Sequence, residues 1–313
     1  MVYVINKRGP NSVALHGMVL PMLQVRARII SIYKMKHVLI TPNTFQILEF
    51  QRSQNPYVTL SNNSKRKVLR DHRNLGSKVK DATMYTIHPR NFLPDIVFVA
   101  NGGLSLWGLP EQVLLLPQMK YKQRQDELPY LKEICIDQRL IGIEFPSKEP
   151  FEGQAEAKWF HNGSLLVCGY GHRSTKKTFK ILDTLLKQIY SKYNRVPPTL
   201  LVLPIESADY YHLDLAMLEF NDDSCIIHKG AFSPTSIKKL RGVLKVHVLD
   251  TNDPFCLNSV VQEDTLLTPI VSDDVKRYLE GVTGRHVIQN DTSIFNKSGG
   301  SVRCMILDIH PAC

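Results

Sequence analysis

The sequence predicts an α/β fold built from a repeated unit of two strands, a helix and a third strand. Three observations support this prediction. Apolar stretches of strand length come in pairs separated by turn signals, a stretch with helical spacing follows each pair, and this order recurs four times between residues 96 and 288. Strands at both ends of the chain provide material for a fifth unit. We therefore expect a closed ring of repeats, in which equivalent positions of the units meet at one end of a central axis.

Length and composition are typical of a globular protein with a large core. The chain has 313 residues, 43% of them hydrophobic and 22% charged, and no apolar window of about 18 residues is free of charge, so no membrane span is predicted. The six cysteines are widely spaced, which favours reduced thiols over disulfides. The spacings typical of metal sites and of phosphate-binding glycine-rich loops are absent, and we expect no metal and no other cofactor.

The positive charge of the chain is concentrated at its beginning. The net charge is +10, and residues 1–80 contain 14 lysines and arginines but only two acidic residues. We interpret residues 1–35 as a basic extension of a main domain at 36–313. Nucleic-acid binding is conceivable through this basic part alone, because the rest of the chain has no excess of positive charge. We expect a cytoplasmic protein, with mitochondrial import as the alternative from the acid-poor beginning, and an oligomer is compatible with the sequence.

The elements before and within the first repeated unit follow from apolar runs and turn residues. Asn43 ends a Thr-Pro-Asn turn after the first apolar run, and Gly102, Gly103 and Gly108 are turn points within a hairpin. The predicted elements are a strand at 37–40, a basic loop or helix surface at 61–80, a strand at 84–87, a hairpin at 96–116, a helix at 121–135 and a strand at 140–143.

The second unit has the clearest pattern. Asn162-Gly163 separates two strands at 158–161 and 164–170, and both residues accept the positive φ angles of a tight hairpin. The helix begins after Ser174 or Thr175 and runs to about residue 193, with five apolar residues at helical spacing: Phe179, Leu182, Leu185, Leu186 and Ile189. A strand ending at residue 203 follows.

The third and fourth units repeat this order. The third consists of strands at 213–220 and 225–228, a helix at 234–240 and a strand at 244–249. The fourth consists of strands at 256–261 and 266–271, a helix capped by Ser272 or Asp273 and a strand at 286–288. A last strand is predicted at 302–309.

Chemically reactive side chains recur where the units begin. They are Asp95, Glu152, His212, Asp214 and Cys304. If the third unit begins as an extended strand, His212 and Asp214 point to one face, and the carboxylate would orient the imidazole. Singly, each residue has an ordinary structural explanation, such as a turn acid, a capping residue or a buried thiol. Their shared placement in different units favours an active site.

This set of side chains suits the chemistry of a guanidinium group. Converging carboxylates repel each other unless a cation lies among them, and a planar guanidinium matches carboxylates in paired hydrogen bonds. Cys304 as a thiolate would attack the central carbon of the guanidinium. His212 would protonate the departing amine and later accept a proton from the attacking water or amine. Gly299-Gly300 would allow a close approach of the backbone before the cysteine.

At these residues the sequence resembles the guanidino-group modifying enzymes, or penteins. Within that superfamily it is similar to dimethylarginine dimethylaminohydrolases, arginine deiminases and arginine:glycine amidinotransferases. The resemblance covers about residues 36–310, and the matching stretches follow the family's order: LPDIVFVANGG (93–103), FEGQAEAKWF (151–160), CGYGHRS (168–174), YYHLDLAM (210–217) and SGGSVRCMIL (298–307).

The resemblance implies a five-bladed, pseudo-symmetric α/β propeller of ββαβ units. It also implies roles for individual residues: Cys304 as nucleophile, His212 as general acid and base, Glu152, Asp95 and Asp214 as partners of the guanidinium or of the histidine, and Asn101, Arg124 and Asn258 as pocket or structural residues. Three departures bear on the substrate: Arg303 stands where relatives often have His, Gln154-Ala155-Glu156 replaces a sequence richer in Gly and Asp, and Leu215-Ala216 follows the His-x-Asp motif.

The preferred hypothesis is a cysteine-dependent hydrolase. It would cleave a guanidine C–N bond of arginine or a methylated arginine through a covalent thiouronium intermediate. The alternative is an amidinotransferase, in which an amine acceptor resolves the same intermediate with the same residues. A non-catalytic binding protein on the same fold is a third possibility, against which the presence of Cys304, His212 and the acids argues. The expected partner is a small guanidine.

Overall fold

A computed structural model of the chain describes residues 35–62, 64–89 and 92–313. The interpretation of residues 1–35 as an extension therefore lies, except for Met35, outside the described residues. Met35–Cys313 forms one compact unit, to which all statements below refer. None of the helices in its described residues combines the length and the apolar character needed to span a bilayer.

The described residues contain strands and α-helices in the alternating order that the sequence predicts. The strands are β1 (Lys36–Ile40), β2 (Ala82–Tyr85), β3 (Leu104–Ser105), β4 (Val113–Leu116), β5 (Ile141–Glu144), β6 (Ala157–Phe160), β7 (Leu165–Tyr170), β8 (Thr199–Pro204), β9 (Met217–Asn221), β10 (Ser224–His228), β11 (Lys245–Leu249), β12 (Val260–Val261), β13 (Thr265–Pro269), β14 (His286–Asn290) and β15 (Leu307–Ile309). The helices are α1 (Lys65–Gly76), α2 (Lys122–Gln125), α3 (Leu128–Gln138), α4 (Lys176–Lys192), α5 (Leu213–Ala216), α6 (Pro234–Arg241), α7 (Asp273–Thr283) and α8 (Ser293–Asn296).

These strands form five three-stranded sheets of one design. Their strand orders are β15-β1-β2, β3-β4-β5, β6-β7-β8, β9-β10-β11 and β12-β13-β14. In each sheet the first and second strands are antiparallel, and the second and third are parallel. A parallel pair needs a crossover, and α1, α3, α4, α6 and α7 lie in the five crossovers. The predicted repeat is confirmed, and the fifth unit combines β15 with β1 and β2.

The second predicted unit agrees with the structure in detail. Asn162 and Gly163 have φ angles of 52° and 80°, and they join the antiparallel strands β6 and β7. The side chain of Thr175 caps α4 by accepting a hydrogen bond from the Thr178 amide. The apolar face of α4 packs into a core cluster with residues of β4, β6 and β7. Turn chemistry, cap and periodicity therefore agree at this unit.

The predicted strands differ from the structure mainly where the units begin. Residues 213–216 are helical before β9, the strand predicted at 256–261 is limited to β12, and Arg303–Met305 form a short 3₁₀ turn before β15. In the predicted hairpin at 96–116, Val99–Gly102 likewise form a 3₁₀ turn before β3. The apolar runs that suggested strands are buried on all sides at these turns, so period-two patterning does not identify their backbone.

The helix predicted at 121–135 is divided into α2 and α3. Pro129 stands in the first turn of α3 and has no amide proton to donate to the Gln125 carbonyl, so a continuous helix would lose a hydrogen bond there. The basic stretch at 61–80 contains α1, so its helical interpretation is confirmed.

Candidate active site

One pocket collects most of the side chains that the sequence placed at the beginnings of the units. Its cavity volume is about 20 Å³. The lining residues are Gln54, Asn55, Asp95, Phe98, Asn101, Arg124, Arg173, Tyr211, His212, Ser298, Gly299, Gly300 and Cys304. Glu152, Asp214 and Asn258 lie directly behind this lining, in hydrogen-bond contact with His212 or Cys304. The short turns before the first strands of the sheets thus bring these side chains together at one pocket. Extended strands at the same places would not bring them together.

Cys304 is held in the turn before β15 by the side chain of Asn258. The Asn258 Nδ2 donates to the Cys304 Sγ at 3.2 Å, and its Oδ1 accepts from the Cys304 amide at 3.2 Å. The Sγ also lies 3.6 Å from Asp214 Oδ2. Burial, followed by the charge of Asp214, raises the pKa of the Cys304 thiol well above its ordinary value. The free protein therefore holds this cysteine as a thiol at neutral pH.

His212 is paired with Glu152. The two side chains meet at 2.7 Å between His212 Nε2 and Glu152 Oε2, and His212 stands at the beginning of the short helix α5. The expectation that His212 and Asp214 share one face of a strand, with Asp214 orienting the imidazole, is therefore wrong. Burial lowers the pKa of His212, and the hydrogen bond to Glu152 opposes that shift. An imidazole bonded to a buried carboxylate can transfer protons to a ligand in the pocket.

Glu152 is completely buried and remains charged. Its Oε2 accepts further hydrogen bonds from Arg173 Nη1 at 3.0 Å and Asn101 Nδ2 at 3.3 Å, and its Oε1 accepts from the Lys120 amide at 3.1 Å. Burial alone would raise the pKa of Glu152, but Arg173 and His212 outweigh burial and hold this pKa well below its usual range. Glu152 is thus a fixed negative charge beside the histidine.

Asp95 and Asp214 provide two more buried carboxyl groups. Gln51 Nε2 at 2.7 Å and Ser298 Oγ at 3.4 Å both donate to Oδ1 of Asp95. Oδ1 of Asp214 has no hydrogen-bond partner among the described residues. Burial is the main cause that raises the pKa of both groups. A cation in the pocket would relieve this cost of burial.

Comparison with known proteins places these features in a family context. No family model matches the chain. A bifunctional arginine dihydrolase/ornithine cyclodeaminase, AgrE of Nostoc, is 28% identical over 228 residues, which cover 71% of this chain and 30% of the relative. The N(G),N(G)-dimethylarginine dimethylaminohydrolase of Mycobacterium tuberculosis is 25% identical over 231 residues, 72% of this chain and 69% of the relative.

A solved structure agrees with the sequence comparison. Unliganded AgrE superposes with a TM-score of 0.74 at 25% identity, over 89% of this chain and 40% of AgrE. The chain is a relative of the pentein enzymes. The predicted resemblance to guanidine-modifying enzymes is confirmed, because these relatives are named as an arginine dihydrolase and a dimethylarginine dimethylaminohydrolase. The chain spans about a third of the length of the bifunctional cyanobacterial relative.

Arg124 of this pentein relative is engaged with protein groups. Its Nε and Nη2 donate to the two carboxylate oxygens of Glu127, both at 2.9 Å, and its Nη1 donates to Asn101 Oδ1 at 3.0 Å. Arg124 lines the pocket, and its expected contact with the substrate stays a prediction. Arg124 also orients the amide of Asn101, whose Nδ2 is directed at Glu152 and lies 3.4 Å from His212 Nε2.

The glycine pair before Cys304 is required by close packing. Gly299 has a φ angle of 90°, and a Cβ atom there would lie 2.6 Å from Asn55 Oδ1. A Cβ atom on Gly300 would lie 2.1 Å from the ring of Phe98. The Tyr211 hydroxyl donates a hydrogen bond to the Gly299 carbonyl. The expected close approach of the backbone at these glycines is confirmed.

Several pocket residues were not singled out from the sequence. Arg173 lies in the matched stretch after β7, yet a single arginine there carried no recognisable signal. Gln54 and Asn55 come from the connection between β1 and α1, which contains no motif. Gln154, one of the departures named from the sequence, lies outside this lining and joins the segments of Glu152 and Cys304, because its Nε2 donates to the Ile306 carbonyl at 2.6 Å and its Oε1 accepts from the Asp308 amide at 3.1 Å.

The structure also places Glu156 and Arg303, two of the residues that depart from the family's sequence pattern. Glu156 Oε2 accepts from the Glu152 amide at 2.9 Å, and burial, followed by the charge of Glu152, raises the pKa of Glu156 to about 8. Arg303 is buried and paired with Asp308. The described residues contain no group of three or more His, Cys, Asp or Glu side chains that could hold a metal ion.

Proposed function

We propose that the chain is a cysteine-dependent hydrolase that cleaves a guanidine C–N bond, with arginine as its preferred substrate. The observation that carries this proposal is the convergence of Cys304, the His212–Glu152 pair and the carboxyl groups of Asp95 and Asp214 at one buried pocket. A thiol nucleophile, a proton carrier and several acids are the groups that attack on a guanidinium carbon requires. The names of the relatives, an arginine dihydrolase and a dimethylarginine dimethylaminohydrolase, support a guanidine as substrate.

The neutral thiol of the free protein implies that the substrate itself activates the nucleophile. A cationic guanidinium between Asp95, Asp214 and Cys304 would favour the thiolate, because an opposite charge within a few ångströms lowers a thiol pKa. The Cys304 thiol passes its proton to His212 as the Sγ forms a bond with the guanidinium carbon, and the C–N bond then breaks as ammonia leaves with that proton from His212. This step yields a thiouronium intermediate on Cys304.

Water completes the reaction. It attacks the intermediate and gives a proton to His212, and the C–S bond breaks to restore the Cys304 thiol. The sum of both steps is one guanidinium plus one water giving one ureido group, one ammonia and one proton, which His212 releases. Glu152 stabilises the imidazole when it is protonated, before the ammonia leaves and again after water attacks, because its carboxylate is buried and charged.

The small pocket favours arginine over a methylated arginine. Methyl groups on the departing nitrogen would need additional apolar space, while the free volume is about 20 Å³ and its walls are mostly polar. A solved structure of an AgrE variant contains L-arginine. Since AgrE is named a dihydrolase, the ureido product is itself a candidate for a second hydrolysis, which would release ornithine.

The same proposal includes the closed form of the fold. We infer that the five sheets form the five blades of an α/β propeller and that residues 36–313 are its catalytic domain. The pairing of β15 with β1 supports closure, because it joins the last described strand to the first. The convergence of five unit beginnings on one pocket is the arrangement expected of such a ring.

A product assay tests the proposed function. The full chain would be incubated with arginine, asymmetric dimethylarginine or agmatine, each with and without glycine, and the products identified by mass spectrometry. We expect citrulline or ornithine from arginine without any acceptor. Product that forms only with glycine would establish the amidinotransferase alternative and overturn the hydrolase. Silence with every guanidine would favour the binding-protein alternative.

The variant Cys304→Ser tests the nucleophile. We expect turnover to fall by about three orders of magnitude or more, because a serine hydroxyl is a far weaker nucleophile at neutral pH, while the circular dichroism spectrum stays unchanged. Cys313→Ser, at the exposed cysteine, is the matched control and should retain full activity. Full activity in the Cys304 variant would refute the mechanism.

A further inference from the structure

A second cavity, with a volume of about 110 Å³, lies between the first strands of four of the five sheets. Polar residues of β3, β6, β9 and β15, and two more beside β15, line it: Ser105, Lys158, Glu219, Asp308, Arg303 and His310. None of them lines the active-site pocket. The turns before these strands form the active-site pocket, whereas the strands themselves form this cavity, so the two are separate sites.

Two ion pairs balance the charge of this cavity. Lys158 Nζ lies 3.1 Å from Glu219 Oε1, and Arg303 Nη2 is bonded to Asp308 Oδ2. Burial lowers the pKa of His310 to about 4, so its imidazole is neutral at pH 7. The lining therefore has no net charge, and a simple cation or anion would bring an uncompensated charge into a buried site.

Three buried polar atoms of the lining have no hydrogen-bond partner among the described residues. They are Glu219 Oε2, Arg303 Nε and His310 Nδ1. Arg303 and His310 are only 4% and 7% exposed. Buried polar groups of native proteins are almost always paired with protein, water or ligand. A ligand that satisfies these atoms must donate to a carboxylate and accept from a guanidinium.

Aromatic rings form the apolar part of the wall. Trp107 and Trp159 line the cavity, and the centre of the His310 ring lies 4.5 Å from that of Trp107 and 6.4 Å from that of Trp159. A buried water molecule needs two to four polar partners, which indole faces do not supply. Carbon atoms pack well on these faces, and an ammonium group is attracted to them. The wall suits a ligand with carbon between its polar groups.

We propose that this cavity is a binding site for a small zwitterion, an amino acid of about the size of glycine. Its ammonium group donates to Glu219 Oε2, and its carboxylate accepts from Arg303 Nε. Drug-sized ligands need pockets of about 300–1,000 Å³, so a cavity of about 110 Å³ admits only a few non-hydrogen atoms. The Glu219 side chain is 28% exposed, which gives the ligand access from solvent.

Tryptophan fluorescence tests this inference directly, because Trp107 and Trp159 are the two tryptophans of the chain and both line the cavity. The full chain is titrated with glycine, methylammonium or acetate at constant ionic strength. We expect a saturable change with glycine, half complete at a concentration on the order of millimolar. Methylammonium and acetate should bind at least about tenfold more weakly, since each leaves one charged group of the lining unpaired.

Two variants test the two ends of the ligand. Glu219→Gln removes the charge that holds the ammonium group, and Arg303→Lys removes the Nε donor but keeps a positive charge beside Asp308. Each should weaken glycine binding at least about tenfold. Glu133→Gln, at an exposed acid on α3, is the matched control and should bind glycine like the wild type. Melting curves verify that each variant is folded.

Three results would overturn the inference. The absence of a saturable change with glycine would leave the cavity to water. Equal affinity for acetate or methylammonium would indicate a site for a simple ion. Loss of glycine binding in Asp95→Asn, but not in Glu219→Gln, would place glycine in the active-site pocket. None of these measurements depends on turnover of a guanidine, so this inference and the proposed function can fail separately.

Discussion

Individual carboxyl groups of this pocket differ in charge although all of them are buried. Glu152 is held ionised by Arg173 and His212, whereas Glu156, four residues later, has its pKa raised to about 8 by burial and by Glu152. The two groups are neighbours through the hydrogen bond from the Glu152 amide to Glu156. The charge of Glu152 thus helps to keep the proton on Glu156, because two carboxylates in contact repel each other.

Replacing Glu156 by Gln is expected to change the pH dependence of kcat more than it changes kcat at pH 7. Glu156 carries a proton below pH 8, so the neutral amide is a close substitute there. Above pH 8 the wild type gains a second negative charge beside Glu152, which should perturb the His212–Glu152 pair and lower kcat. Steady-state rates between pH 6 and 9.5 would show an alkaline decline in the wild type that is weaker in Glu156→Gln.

If kcat of the wild type and of Glu156→Gln depends on pH in the same way, this interpretation of Glu156 is contradicted. Asp183→Asn, at a half-buried position on α4 where the acid pairs with Lys187, serves as the matched control because Asp183 does not line the pocket. A rate of Glu156→Gln at pH 7 that is reduced by orders of magnitude would show that the carboxyl group acts in another way than through its charge.

The sequence could predict pocket residues that stand in motifs but not those that stand in plain connections. Cys304, His212 and Glu152 were recognisable because each begins a repeated unit. Gln54 and Arg173 come from segments whose composition is ordinary, and only the folded chain brings them to the pocket. The pairing of His212 with Glu152 rather than Asp214 also depends on tertiary structure, because the two residues lie in different units.

Whole elements were predictable where turn chemistry and periodicity agree. The hairpin at Asn162-Gly163 and the helix α4 follow directly from local sequence. Apart from β6, the first strand of each sheet was predicted too long: β3 and β12 have only two residues, and short 3₁₀ or helical turns precede most of these strands. Such turns are stabilised by contacts between units, including the bonds of Gln154 to the segment after Cys304, and local propensity does not reveal them.

Gly163→Ala should destabilise the protein strongly. The φ angle of Gly163 is 80°, and a Cβ atom there would lie 2.3 Å from Trp107 Cδ1, so the hairpin and the Trp107 ring cannot both keep their positions. We expect a loss of about 3 kcal/mol in the free energy of unfolding, which combines backbone strain with overpacking. Urea unfolding followed by fluorescence measures this loss.

Gly284→Ala is the matched control, because it measures the cost of a left-handed backbone without a steric clash. Gly284 ends α7 with a φ angle of 67°, and no atom lies within 4 Å of its added Cβ, so its cost should be about 1 kcal/mol from the left-handed backbone alone. Equal losses in the two variants would show that contact with Trp107 plays no part.

On the scale of the whole molecule, buried histidines make stability dependent on pH. Burial lowers the pKa of His72, His228 and His310 to about 4 in each case. The unfolded chain, with an ordinary histidine pKa of 6.5, binds protons first as the pH falls. Each of these groups therefore removes stability between about pH 6.5 and pH 4, by about 1.4 kcal/mol per pH unit at full slope.

The variant His72→Leu should lose less stability on acidification than the wild type. His72 is fully buried on α1, and neither of its ring nitrogens has a hydrogen-bond partner among the described residues. Replacing His72 by Leu therefore removes a group that binds a proton more tightly in the unfolded chain than in the folded one, and it breaks no hydrogen bond. Urea unfolding at pH 7 and pH 5 measures the difference between the two proteins.

His88→Leu, at an exposed position, is the control for His72→Leu. It should leave the difference between pH 7 and pH 5 as it is in the wild type. If His72→Leu also behaves like the wild type, then His72 takes up its proton equally well in the folded and unfolded states.

The pairing of β1 with β15 has a consequence for how the protein is made. Lys36 lies opposite Ile309 in this ladder, and His37 is bonded to Asp308 at 2.8 Å, so one side of β1 has no partner until almost the entire described chain has left the ribosome. At about 5–20 residues per second, that wait lasts on the order of tens of seconds. An open strand edge attracts foreign strands throughout such a delay. Slow elongation or a shortage of chaperones should therefore lower the yield of active protein before it alters the stability of the molecules that succeed in folding.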